Sequence, residues 1–141
     1  MKNINLGRVV LGGLLAGLVL NVGEVLLNDL ILGTQMQEFF ARTGLTPPGT
    51  SFLVAAVSLT FLMGIVLVLA YALIRTRLGP GPKTAIVAGL LMWFGIYLYC
   101  GIVNGLALSA PTKSILITIV WGLVEYVVAA LVGAWFYKEA Q

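Results

Sequence analysis

The chain has 141 residues, of which 60% are hydrophobic and only 9% charged, with a formal net charge of +3. That composition excludes an ordinary water-soluble domain. The single cysteine, Cys100, excludes an internal disulfide, and the absence of histidine removes the commonest transition-metal ligand, so no haem, zinc or copper cofactor is expected.

A bilayer core is roughly 30 Å thick and calls for about 20 mainly apolar residues per helical crossing. Four segments meet this length: about 9–32, 51–74, 84–109 and 114–137. Backbone groups in lipid must bond within their own segment, and these runs lack the alternation of barrel strands. The expected fold is therefore an all-α integral membrane protein, a four-transmembrane-helix bundle forming a single membrane domain over 1–141.

The first segment follows Lys2 and Arg8, as a secretory signal would, but its apolar run is long and no small-x-small cleavage site follows. It reads as a retained helix. Its stretch "LNVGEVLLND" is the most polar part of any span. Gly13, Gly17, Asn21, Glu24 and Asn28 recur at spacings of four, four, three and four, which places them on one helical face. Gly13 and Gly17 allow close approach of a second helix, whereas Asn21, Glu24 and Asn28 offer groups that lipid cannot satisfy. Asp29 lies about 100° around the helix, near the end of the span.

The connection "QMQEFFARTG" puts Met36, Phe39 and Phe40 on one side of a short helix, about 34–43, while Glu38 and Arg42 stay wet. An interfacial helix is expected there, either as a simple connector or as a lid. Gly44 suits its C-terminal cap, and Pro47, Pro48 and Gly49 suit a turn into the second span. The next connection, "RTRLGPGPK", is a tight turn carrying three cations, for which anionic membrane lipids are the ordinary partners.

The third span repeats the geometry with Gly89, Trp93, Tyr97, Cys100 and Asn104, again spaced four, four, three and four. Tyr97 carries a hydroxyl that needs a partner if buried. Comparison of the first and third spans at an offset of 76 aligns Asn28 with Asn104 and several leucines and glycines, which raises the reading of two parallel helical-hairpin repeats.

In the fourth span Glu125 follows 11 uncharged residues after Lys113 and precedes 12 before Lys138, too deep for a carboxylate to reach an interface. Gly122, Ala129 and Gly133 supply small packing surfaces, and Trp121 and Tyr126 flank the acid. Glu24 lies at nearly matched depth. The two glutamates are expected to converge with Asn21, Asn28, Tyr97, Asn104, Trp121 and Tyr126 in an intramembrane polar centre, to which Ser58 or Thr60 of the second span could add. No lysine or arginine lies in the four cores to neutralise them. Burial and mutual repulsion disfavour two charges, so at least one carboxyl is expected to hold a proton that a cation or amine would displace.

The cations divide six to two in a four-span model: Lys2, Arg8, Arg75, Arg77, Lys83 and Lys138 against Arg42 and Lys113. The positive-inside rule then places both termini in the cytoplasm of a multi-pass cell-membrane protein. Their scatter over membrane flanks points away from nucleic acid. The first functional reading is a structural or accessory subunit of a membrane assembly, with homo-oligomeric or other membrane partners and polar contacts between helices. The alternative is a transporter binding a proton, cation or small amphipath through Glu24 and Glu125. A second alternative, an intramembrane lipid-modifying enzyme, has a general acid or base but no further chemical signature; no catalytic residue is assigned.

Overall fold

A computed structural model describes residues 4–138, so Lys2 of the charge count lies outside the described residues. Among the described residues, six α-helices make up most of the structure: α1 (Leu6–Val25), α2 (Gly33–Thr43), α3 (Thr50–Leu78), α4 (Pro82–Trp93), α5 (Cys100–Ala107) and α6 (Thr112–Phe136). Two π-helical segments, Leu26–Ile31 and Phe94–Tyr99, continue α1 and join α4 to α5. Four helical stretches among the described residues are long and apolar enough to cross a membrane: Leu6–Ile31, Thr50–Leu78, Pro82–Ala107 and Thr112–Phe136. They form an all-α, multi-pass membrane bundle.

Local chemistry sets the boundaries. The Asn5 side chain accepts the Arg8 N–H at 3.1 Å and caps the start of α1. Gly44, at a left-handed φ of 69°, ends α2 by donating its N–H to the Phe40 carbonyl. Pro82 opens α4, where its missing N–H costs nothing. The short connection before it makes α3 and α4 antiparallel neighbours.

Around the bundle, α1 packs on α3 and α6, α4 packs on α6, and α3 closes the ring against α4. Large apolar side chains such as Leu18, Leu59, Leu91 and Val124 cover its outside. In lipid no hydrophobic force draws such helices together, so contact depends on close packing of small residues. The α1–α3 seam does this with glycine. A Cβ on Gly17 would lie 2.8 Å from the Phe61 Cα, and one on Gly64 would run into the Gly13 carbonyl and the Gly17 backbone. On the other side of α1, a Cβ on Gly12 would lie 2.6 Å from the Gly133 carbonyl oxygen of α6.

Helix α2 covers the expected interfacial segment. Met36 packs against the core, Glu38 is exposed, and Arg42 donates to the Ser109 carbonyl at 3.1 Å, tying α2 to the α5–α6 turn. At the opposite end of the bundle the Arg75 guanidinium lies over the rings of Tyr71 and Tyr137, 5.8 and 5.2 Å from their centroids.

Candidate functional site

Glu24 stands one residue before the end of α1, just ahead of the first π segment, and Tyr97 stands inside the second. The Tyr97 hydroxyl lies 2.5 Å from Glu24 Oε1 and 2.8 Å from Glu125 Oε2. One phenol thus joins a carboxyl of the first span to a carboxyl of the fourth. Glu125 is only 6% exposed, whereas Glu24 is half-buried. Asn28 donates from Nδ2 to Glu24 Oε2 at 2.9 Å and to the Glu24 carbonyl at 2.8 Å, which fixes the outer carboxyl.

Two glycines make room for this arrangement. A Cβ on Gly23 would collide with the Glu125 carboxyl, and a Cβ on Gly122 would collide with the Tyr97 ring. The Tyr97 ring also meets Tyr126 edge-on, with centroids 5.7 Å apart and planes at 72°. On the same span, Trp93 Nε1 donates to the Ile119 carbonyl at 2.9 Å, holding the third span against α6 beside the phenol.

Counting hydrogens constrains the state of the triad. A phenol has one hydrogen, yet both oxygen–oxygen contacts are at hydrogen-bond distance. The second contact needs a hydrogen from a protonated carboxyl. Glu24 already accepts from Asn28, so it is the better carboxylate to receive the Tyr97 hydrogen as well. Glu125, more deeply buried and without a second donor, is the carboxyl that the hydrogen count favours as the protonated partner of Tyr97.

Beside the triad a crevice of about 200 Å³ runs between the first span and α6. Val19, Val22 and Leu26 wall it on one side, Val124 and Val128 on the other. Most of these side chains are exposed, so the crevice opens on the lipid-facing surface. Gly23, Trp121 and Glu125 complete the lining. Trp121 Nε1 and Glu125 Oε1 are buried and make no hydrogen bond among the described residues. A donor and an acceptor, one helical turn apart, are both unused.

Of the residues expected in the polar centre, Glu24, Asn28, Tyr97 and Glu125 form one hydrogen-bonded chain, with Tyr126 against the phenol and Trp121 in the crevice. Asn21 turns to the α3 seam, donating to Gly17 O at 2.9 Å and Val57 O at 3.5 Å. Ser58 bonds back to Val54 of its own helix. Asn104 and Cys100 are exposed and outside the triad. The π segment explains this: each extra residue in a turn rotates the downstream face by about 100°, so positions after Tyr97 leave the stripe that uniform α-helical spacing assigns them. Gly23 and the two π segments carry site geometry that the sequence reading missed. A glycine directly before an intramembrane glutamate was the available signal for the first.

Comparison with protein-family models, with curated proteins and with solved structures finds no match.

Proposed function

We propose that this protein binds a small amphipathic molecule inside the membrane and links that binding to the proton shared by Glu24, Tyr97 and Glu125, as a carrier would. The observation that carries the reading is the carboxyl–phenol–carboxyl chain beside a crevice open to lipid. Ionisable residues at such depth are costly and mark pathways or binding sites. With the proton in place every contact of the triad is satisfied and the first, third and fourth spans are clasped at one level. Without it, Tyr97 has one hydrogen for two anionic carboxylates. Their repulsion separates the first span from α6 and widens the crevice between them. In this reading both termini are cytoplasmic in the cell membrane, with Arg8, Arg75, Arg77, Lys83 and Lys138 at that face.

The test is labelling by a photoreactive decanol of the protein reconstituted in lipid vesicles, followed across pH. Crevice labelling is expected to rise in the natural chain as the proton leaves, and to stay level in Glu125→Gln, whose amide donates to Tyr97 at every pH. A natural chain with the same flat profile as the variant rejects the reading.

The structural or accessory-subunit reading is favoured by a different observation, the exposed Asn104 amide on the lipid-facing side of α5. Such a group suits an interhelical hydrogen bond to a partner subunit or a second copy. Mass spectrometry of the protein in native membrane patches tests it: a stoichiometric partner lost in Asn104→Leu supports this role, and a monomer without partners rejects it.

A further inference from the structure

The two ends of the bundle treat the triad differently. Toward the α3–α4 turn, the buried positions include Ala16 and Leu20 of α1, Leu67 and Val68 of α3, and Ala129 and Ala130 of α6, and they carry no polar side chain until Tyr71 and Thr84. Both of those hydroxyls are engaged locally: Tyr71 accepts the Gly81 N–H at 3.3 Å, and Thr84 donates to the Gly79 carbonyl at 2.7 Å. Tyr137, edge-on to Tyr71, lies 12 residues beyond Glu125, about 18 Å along the helix axis. Within that interval Asn21 turns to the α3 seam, and among the described residues neither Thr60 nor Tyr126 hydrogen-bonds to a member of the triad.

Toward the α2 end the packing opens. From Thr50 to Leu59 every residue of α3 except Ala56 is exposed, and α5 has no buried residue. Gly13 and Gly17 meet Ile65 and Phe61 of α3, and Asn21 bonds Val57. The same register sets Glu24 level with about Val54, roughly 6 Å inside the first residue of α3. Asn28, one turn farther out, is exposed and bonds Glu24 Oε2 at 2.9 Å. Other titratable groups of these elements lie apart: Asp29, Tyr99 and Cys100 are exposed, Arg8, Lys83 and Lys113 stand at span ends, and α3 has none from Thr50 to Ala70.

We infer that the triad exchanges its proton with the α2 side of the membrane alone, by a relay from Glu125 through Tyr97 to Glu24. Glu125 gives its hydrogen to the Tyr97 oxygen while Tyr97 gives its own to Glu24 Oε1, across contacts of 2.8 and 2.5 Å. One O–H bond forms for each that breaks, the phenol stays neutral, and acid and carboxylate trade places. Glu24 then loses the hydrogen to water at the membrane edge, leaving two carboxylates. This rests on the shared proton of the proposed function and adds its route. With both termini cytoplasmic, as proposed, the α2 side is the outer face.

The experiment follows the infrared carbonyl stretch of the protonated carboxyl, assigned by its loss in Glu125→Gln or Glu24→Gln, while pH is stepped on one side of the membrane. The protein is tethered to a gold-coated reflection crystal and surrounded by lipid. A tag at the N-terminus turns the α2 side to the bulk buffer, and a tag inserted between Leu45 and Thr46 turns it away. In detergent, where both ends meet the buffer, the band is expected to disappear as pH is raised. In lipid it is expected to follow the bulk pH in the first orientation and to persist in the second. Equal behaviour in the two orientations, or loss only in the second, overturns the one-sided route and leaves the shared proton standing. A band missing or unchanged across pH in detergent overturns both. In the first orientation Tyr97→Phe is expected to slow the loss by about a hundredfold, the low end of what a positioned proton-transfer group contributes. Loss at the natural speed in this variant rejects the relay through the phenol. Unfolding midpoints report whether each form is folded. If the loop-tagged chain is not, the Tyr97→Phe rate decides, and if Tyr97→Phe is not, the two orientations decide.

Discussion

The seam between α1 and α3 and the triad between the first, third and fourth spans hold the same bundle by opposite means. At the seam, Gly13, Gly17 and Gly64 bring backbones into contact and leave no room for a methyl group. At the triad, Gly23 and Gly122 give up their side chains so that a carboxyl and a phenol can occupy the space. Glycine at the seam serves packing, whereas glycine at the triad serves polar side chains. Helical regularity divides along the same line: α3 runs unbroken for 29 residues, while both spans that bring Glu24 and Tyr97 together change to π-helix at that level. Such single-turn departures recur at functional sites because they re-aim side chains at the expense of regular hydrogen bonding.

The comparison can be broken most severely at the seam. Gly64→Ala drives a methyl into the Gly13 carbonyl and the Gly17 backbone, where no rotamer can yield, and a loss of about 3 kcal/mol or more is expected. Unfolding in lipid or detergent micelles, followed by denaturant titration, measures it. A loss below about 1 kcal/mol would mean that the helices separate there without harm.

Tyr97→Phe keeps the ring against Tyr126 and Gly122 but removes both bonds to the glutamates. Leaving buried polar groups unpaired costs about 1–3 kcal/mol, and the same titration is expected to fall in that range. An unchanged midpoint would show that the phenol hydroxyl does not clasp the spans.

The two glutamates sharpen the contrast further, because the hydrogen count treats them differently. In Glu125→Gln the amide nitrogen can take the place of the protonated oxygen and donate to Tyr97, so stability is expected to stay within about 0.5 kcal/mol. In Glu24→Gln one of the two oxygens that accept from Asn28 and Tyr97 becomes a donor, and a loss of about 1 kcal/mol or more is expected. The reverse order would place the proton on Glu24. Infrared difference spectra of the carbonyl stretch of a protonated carboxyl give an independent reading: the band is expected to vanish in Glu125→Gln and persist in Glu24→Gln.

The smallest effect belongs to Asn104, which the third-span stripe joins to Tyr97 and the structure leaves exposed. Asn104→Leu is expected to change the stability of the isolated chain by no more than about 0.5 kcal/mol. A larger loss would mean that its amide turns inward and that the span samples an unbroken α-helical register.

Much of the molecule was legible before any coordinates. Hydropathy gave four crossings, and the depth of Glu125, with no nearby lysine or arginine, marked it for an interior position. Helical spacing alone puts Glu24 and Asn28 on one face, and the bond between them is local to that helix. Asn21 shared the same predicted face and yet bonds toward α3, since a stripe on a helix has width and two neighbouring helices divide it. An offset of 76 between the first and third spans matches Asn28 with Asn104, but the two sit differently: one bonds Glu24, and the other is exposed.

The sequence by itself determined the solvent, the number of crossings and which acids lie within the spans, because each follows from transfer free energies summed along the chain. The tertiary structure decided that one phenol spans both acids, that Gly23 and Gly122 give way to the carboxyl and the phenol, and that an apolar crevice opens beside them on the lipid-facing surface. Those depend on where helices meet and on two π turns that shift the phase by a single residue, a displacement that hydrophobic periodicity does not register but hydrogen-bond geometry does.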